Sequence, residues 1–138
     1  MKEFGKANKY IGKESSLQAA CYKLCKHIPG NPLVFHVANE RKTSMSRGAA
    51  LKAQGVLSGV PDLLIAHARG EYNGLAVELK VKGGTLQDSQ KYVLDWFERE
   101  GWYTAVAWSL DGFVELQREY WSLPATTANT NDDELNWD

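Results

Sequence analysis

Two short apolar runs carry charge where buried strands should carry none, and a chain containing them must fold so that those charges meet. The first is Gly59-Val60-Pro61-Asp62-Leu63-Leu64-Ile65 and the second is Leu75-Ala76-Val77-Glu78-Leu79-Lys80-Val81. A turn around Gly70 to Gly74 separates them, so they are expected as a hairpin or as near neighbours in one sheet. Side chains two apart on a strand share a face, so Glu78 and Lys80 point together while Leu79 faces away. One register then brings Asp62 beside both. Burying an unpaired carboxylate or ammonium costs on the order of several kcal/mol, so such groups are paired, hydrogen-bonded or bound to a metal.

The rest of the pattern supplies a frame for these strands. Leu17, Ala20, Cys21, Leu24, Cys25 and Ile28 recur on one face and predict a helix over Glu14 to Ile28, ended by Pro29-Gly30. Leu33 to Ala38 reads as a strand. Glu40 to Ser58 is polar and punctuated by glycine, and reads as a long functional loop with a short helix after Ser46. Strands are expected over Pro61 to Ala66, Leu75 to Val81 and Trp102 to Trp108. A helix from Leu86 to about Glu100 buries Leu86, Val93, Leu94 and Phe97, with Thr85 and Asp88 as its cap pair. Ser109 caps a last amphipathic helix built on Phe113, Leu116, Tyr120 and Trp121. The order α-β-β-β-α-β-α implies an α/β fold, a mixed sheet flanked by helices. A length of 138 residues suits one domain, expected over residues 1–124, followed by an acidic, Thr- and Asn-rich tail over 125–138 that reads as disordered.

Composition narrows the partners. A net charge of −1 argues against a general polyanion binder, yet Arg41, Lys42, Arg47 and Lys52 crowd one region. Those four are either a local basic patch or solvated loop charges. No apolar run approaches the roughly 18 to 20 residues that cross a bilayer, and Met1 to Lys9 lacks the apolar core of a secretion signal. Cys21 and Cys25 share a helix face in poor geometry for a disulfide and read as core residues in a reducing compartment rather than a metal pair. The chain reads as intracellular.

Two carboxylates within about 4 to 5 Å repel unless a cation lies between them. A hard divalent ion is held by one or two carboxylates, waters and phosphate oxygens, and the Leu79 carbonyl can add another oxygen. Lys80 can hold a water near a phosphorus or stabilise charge developing there. These are parts for phosphodiester hydrolysis. Two more polar residues interrupt apolar stripes: Gln90 on the inner face of its helix, and Glu14, with Gln18, on the inner stripe of the first helix. Gln90 is either a site residue or a satisfied inward amide. Glu14 is either a ligand or a helix-start acid, with Ser15 and Gln18 as a capping box. His36, between Phe35 and Val37, reads as an edge or core histidine before a general base.

At these residues the sequence resembles the PD-(D/E)xK nuclease superfamily, read as Pro61-Asp62 followed by Glu78-Leu79-Lys80. More narrowly it resembles the virus-type replication-repair nuclease domain, VRR-NUC. The likeness takes in Glu14, Gln18, Asn39-Glu40, Gly59-Val60-Pro61-Asp62-Leu63, Glu78-Leu79-Lys80, Gly84, Gln90 and Gly101, from about Glu14 to Trp108. It implies a restriction-endonuclease-like αβββαβ core with an extra C-terminal helix, and a nuclease dependent on Mg²⁺ or Mn²⁺. Asp62, Glu78 and the Leu79 carbonyl would bind the metal, Glu14 would complete or orient its shell, Lys80 would be the catalytic lysine, and Gln90 would help position the site. Short stand-alone members look like virus or mobile-element proteins and resemble Holliday-junction resolvases acting as homodimers.

The function expected is therefore metal-dependent, structure-selective cleavage of branched DNA, with four-way junctions as the first substrate and Arg41, Lys42, Arg47 and Lys52 as DNA contacts. Flap or plain duplex cleavage by the same chemistry is the alternative within the enzyme class. A catalytically silent DNA-binding or assembly module is the alternative outside it. Trp96, Trp102, Trp108 and Trp121 are candidates for a dimer interface or for the core.

Overall fold

The computed structural model of the chain describes residues 1–38 and 44–126. The elements are strand β1 (Lys2–Phe4), a 3-10 turn (Lys6–Asn8), helix α1 (Glu14–Cys25), strand β2 (Val34–His36), helix α2 (Met45–Ala53), strand β3 (Leu63–Ile65), strand β4 (Leu75–Leu79), helix α3 (Asp88–Arg99), strand β5 (Tyr103–Ala107) and helix α4 (Leu110–Trp121). The mixed five-stranded sheet has the order β1-β5-β4-β3-β2. β1, β5 and β4 run parallel, whereas β3 and β2 are antiparallel to their neighbours.

Alternation along β4 decides the two layers. Leu75, Val77 and Leu79 join Leu63, Ile65, Ala105 and Ala107 in the main core, which α1 covers with Leu17, Cys21 and Cys25 and α4 with Phe113, Leu116 and Tyr120. On the other face Val106 and Trp108 pack against Leu94 of α3, with Leu86 beside them. Cys21 and Cys25 are free and buried, and burial pushes both thiols up to about 12, which keeps them protonated core residues.

Several expectations are corrected. β1 was not foreseen, because Lys2-Glu3-Phe4 offers one apolar residue and its partner is β5, at the other end of the sequence. The short helix expected after Ser46 is present and longer than foreseen, nine residues over Met45–Ala53, capped by Ser44, whose hydroxyl accepts from the Arg47 N–H. α3 begins at Asp88 rather than Leu86, and its cap pair is Gln87 with Gln90, not Thr85 with Asp88. Thr85 instead accepts from the Gln87 side chain. The Ser15–Gln18 box does not form: Lys13 occupies the N-cap of α1, with no side-chain cap bond. Trp108 and Trp121 are buried in the chain's own core, while Trp96 stays 46 % exposed. The tail falls outside the described residues over 127–138, as do Asn39, Glu40, Arg41 and Lys42.

One glycine sets the approach of the loop before β3 to α3. Gly59 has φ +89°, and a Cβ there would fall on the Ser89 carbonyl and stand 2.9 Å from the Gln90 nitrogen. Gly83 has the same φ and open space around it. Gly83→Ala is therefore expected to cost only left-handed strain, about 1 kcal/mol. Gly59→Ala should cost about 3 kcal/mol because the backbones must also separate. Thermal melts of the two variants check this; equal losses would show that the close approach contributes nothing.

Candidate metal centre and active site

The pairing of β3 with β4 sets Leu63 opposite Val77, and extending it by one residue sets Asp62 opposite Glu78. The register expected from the sequence is the one observed. Asp62 is locked in place twice. Its Oδ2 accepts the Leu79 N–H at 2.8 Å, and its own carbonyl lies 2.6 Å from His36 Nδ1. His36 thus reaches the site from β2 through the backbone of Asp62.

Glu78 is 1 % exposed and Lys80 4 %, and both lie on the face toward α3, Glu78 near the end of β4 and Lys80 just past it. Gln90 makes two contacts that tie α3 to the cluster. Its Oε1 accepts from the Gln87 N–H at 2.9 Å and starts α3. Its Nε2 donates to Glu78 Oε1 at 3.0 Å. Glu14, in the first turn of α1, arrives from the opposite layer. One oxygen from each of Glu14, Asp62 and Glu78 can be chosen so that all lie within 4.8 Å of one another. Five of the residues singled out by charge or polarity in apolar stripes, Glu14, Asp62, Glu78, Lys80 and Gln90, thus converge at the end of β4.

The cluster carries an electrostatic signature. Burial, the neighbouring Asp62 charge and a hydrogen bond with Asp62 push the Glu78 carboxyl up to about 9; Lys80 opposes this and Glu14 adds to it. The ionised Glu78 leaves Oε2 buried with no hydrogen-bond donor, whereas a proton held there can be shared with Asp62. That orphaned oxygen beside two further carboxylates fits a divalent cation, and an all-oxygen donor set suits Mg²⁺ or Mn²⁺. The Leu79 carbonyl belongs to the residue between Glu78 and Lys80, whose side chain is buried in the core.

A cleft of about 680 Å³ opens over the cluster, with Glu14, Lys80 and Gln90 on one side and α2 and the loop after it on the other. Lys52 lines it; Arg47 is exposed on the same helix but is not part of the lining. Sequence reasoning missed Leu51, Val56 and Leu57, which form its far wall. The available signal was the apolar pair Val56-Leu57 in an otherwise polar stretch.

Comparisons with known proteins identify the fold and the family. The family model of the VRR-NUC domain matches residues 13–110, and the chain belongs to that family, a nuclease domain of the PD-(D/E)xK type with DNA as the implied substrate. A solved structure titled "VRR_NUC domain protein" is similar with a TM-score of 0.71 and 28 % identity, covering 84 % of this chain and 94 % of that one. A second, titled "VRR_NUC domain", shares the fold at a TM-score of 0.53 and 21 % identity, covering 80 % of this chain and 99 % of that one. No curated protein matches. No helix among the described residues is long and apolar enough to cross a membrane.

Proposed function

We propose that the chain is a divalent-metal-dependent DNA endonuclease that cleaves branched DNA, with four-way junctions cut by a homodimer. The observation that carries the chemistry is the meeting of Glu14, Asp62 and Glu78 within 4.8 Å, next to a buried lysine and with one Glu78 oxygen lacking any donor. Glu14, Asp62 and Glu78, with the Leu79 carbonyl, would hold the ion. A bound Mg²⁺ or Mn²⁺ would supply charge neutralisation at the phosphate and a more acidic water.

The chain's own groups do the rest. Lys80 directs an ammonium into the cleft, where it stabilises charge on a non-bridging phosphate oxygen or orients the attacking water. Gln90 fixes the Glu78 carboxylate, and the Leu79 N–H fixes that of Asp62. Lys52 lies in the cleft wall, and Arg47 on the same helix extends the positive charge toward a DNA backbone. A single site per chain makes one cut, so two symmetric cuts in a junction call for two copies, and a two-fold junction matches a two-fold enzyme.

Labelled junction, flap and linear duplex incubated with Mg²⁺, Mn²⁺ or EDTA, beside a solution mass measurement, test the proposal. Paired nicks in the junction, absent in EDTA, with a dimeric mass, are expected. Preferential cutting of flaps or duplex would move the substrate but keep the chemistry. Binding without cleavage in either metal would instead favour the silent module.

A further inference from the structure

We propose that the apolar wall of the cleft, formed by Leu51, Val56 and Leu57, receives the base of an unpaired nucleotide next to the phosphate being cut. That role presupposes that the cleft is a DNA-cleaving site.

The cleft lining combines two chemistries. Glu14, Lys80 and Gln90 belong to the polar cluster, whereas Leu51, Val56 and Leu57 come from α2 and the loop after it. Val56 is 47 % exposed and Leu57 53 %. A phosphate needs donors or positive charge, and branched aliphatic side chains offer neither. The flat faces of a base are what such a wall can cover.

In continuous duplex those faces are stacked, and only edges and backbone are presented to a protein. A base can reach the wall only after leaving the stack, and this costs least where it is already unpaired, as at a branch point. Lys52, from the same helix as Leu51, lines the cleft too. It can hold the phosphate of the nucleotide whose base lies on the wall. One cavity then reads both parts of a nucleotide, its charge on one side and its base on the other, and discrimination for branched DNA arises inside the monomer.

The test compares a branched substrate carrying an ordinary unpaired base beside the mapped cut with the same substrate carrying an abasic nucleotide there. Wild-type protein should cut the first about tenfold faster at subsaturating DNA. In Leu57→Ser and in Val56→Ser, both at exposed positions, the ratio should fall to about one. A 2-aminopurine at that nucleotide should change its emission on binding in EDTA with wild type and not with Leu57→Ser. Equal cutting of the two substrates by wild type overturns the base-binding wall and leaves the nuclease reading standing. So does a ratio unchanged in both variants, or a Leu57→Ser protein that loses only its dimeric mass. No cleavage of any DNA in Mg²⁺ or Mn²⁺ overturns both.

Discussion

Changing Lys80 to alanine is expected to lower DNA cleavage by about a thousandfold at saturating Mg²⁺. The side chain is almost wholly buried, shares a strand face with Glu78, and lines the cleft with Glu14. An ammonium held there contributes where charge develops on the phosphate, and water cannot replace it at the same position. Lys80 is not among the proposed metal-holding groups, so Mg²⁺ should still raise the melting temperature of Lys80→Ala. Lys80→Arg keeps the charge but not its compact shape, and is expected to recover only part of the rate. A Lys80→Ala protein that cuts within threefold of wild type would remove the lysine from the mechanism.

Glu78→Gln should move activity and stability in opposite directions. Cleavage falls by about a thousandfold or more, because the buried carboxylate is proposed to hold the ion. Metal-free stability rises. The Glu78 carboxyl stands near 9 in the folded protein, against an ordinary value near 4.5 in the unfolded chain. The folded state therefore holds a proton that the unfolded chain has released. Its contribution is complete below about pH 4.5 and is lost as pH climbs toward 9, up to about 3 kcal/mol between pH 5 and 8. Glutamine imitates the protonated acid: its oxygen can accept from Gln90, and its amide can donate to Asp62. In EDTA at pH 8, Glu78→Gln should melt several degrees above wild type, with a shallower dependence on pH. Wild type should also release about one proton on binding Mg²⁺ near neutral pH, seen by calorimetry in two buffers of different ionisation heat. A variant less stable than wild type in EDTA at pH 8 would mean that burial of this acid is not the strain inferred from its surroundings.

The site was legible because each of its residues violates a local pattern. Asp62, Glu78 and Lys80 break apolar strands, and Glu14 and Gln90 break apolar helix faces. A buried charge is costly wherever it stands, so the violations point at one another even before the register is known. The strand order around β4 was less legible, since β1 holds a single core residue, Phe4, and pairs with a strand close to the other end of the described chain. Periodicity is a local signal and cannot register such a partner. α2 was legible only as a short helix inside a loop, because it buries no residue and no apolar stripe marks its extent. The Gln87–Gln90 cap was hidden by the more usual Thr–Asp pair three residues apart just before it. Gln90 was noticed for its inward position, and only the geometry revealed that the same amide starts the helix.

The placement of β1 bears on how the molecule comes into being. The backbone of Lys2 to Phe4 finds its strand partner along Ala105 to Trp108. During synthesis the first strand must therefore wait, unpaired, until almost the whole described chain has emerged. Its flanking charges Lys2 and Glu3 suit that wait, since a charged, three-residue edge is a poor template for another chain. Assembly of the sheet is thus delayed and carries a large loop-closure cost, and β4, which bears Glu78, gains its second neighbouring strand only once β5 has emerged.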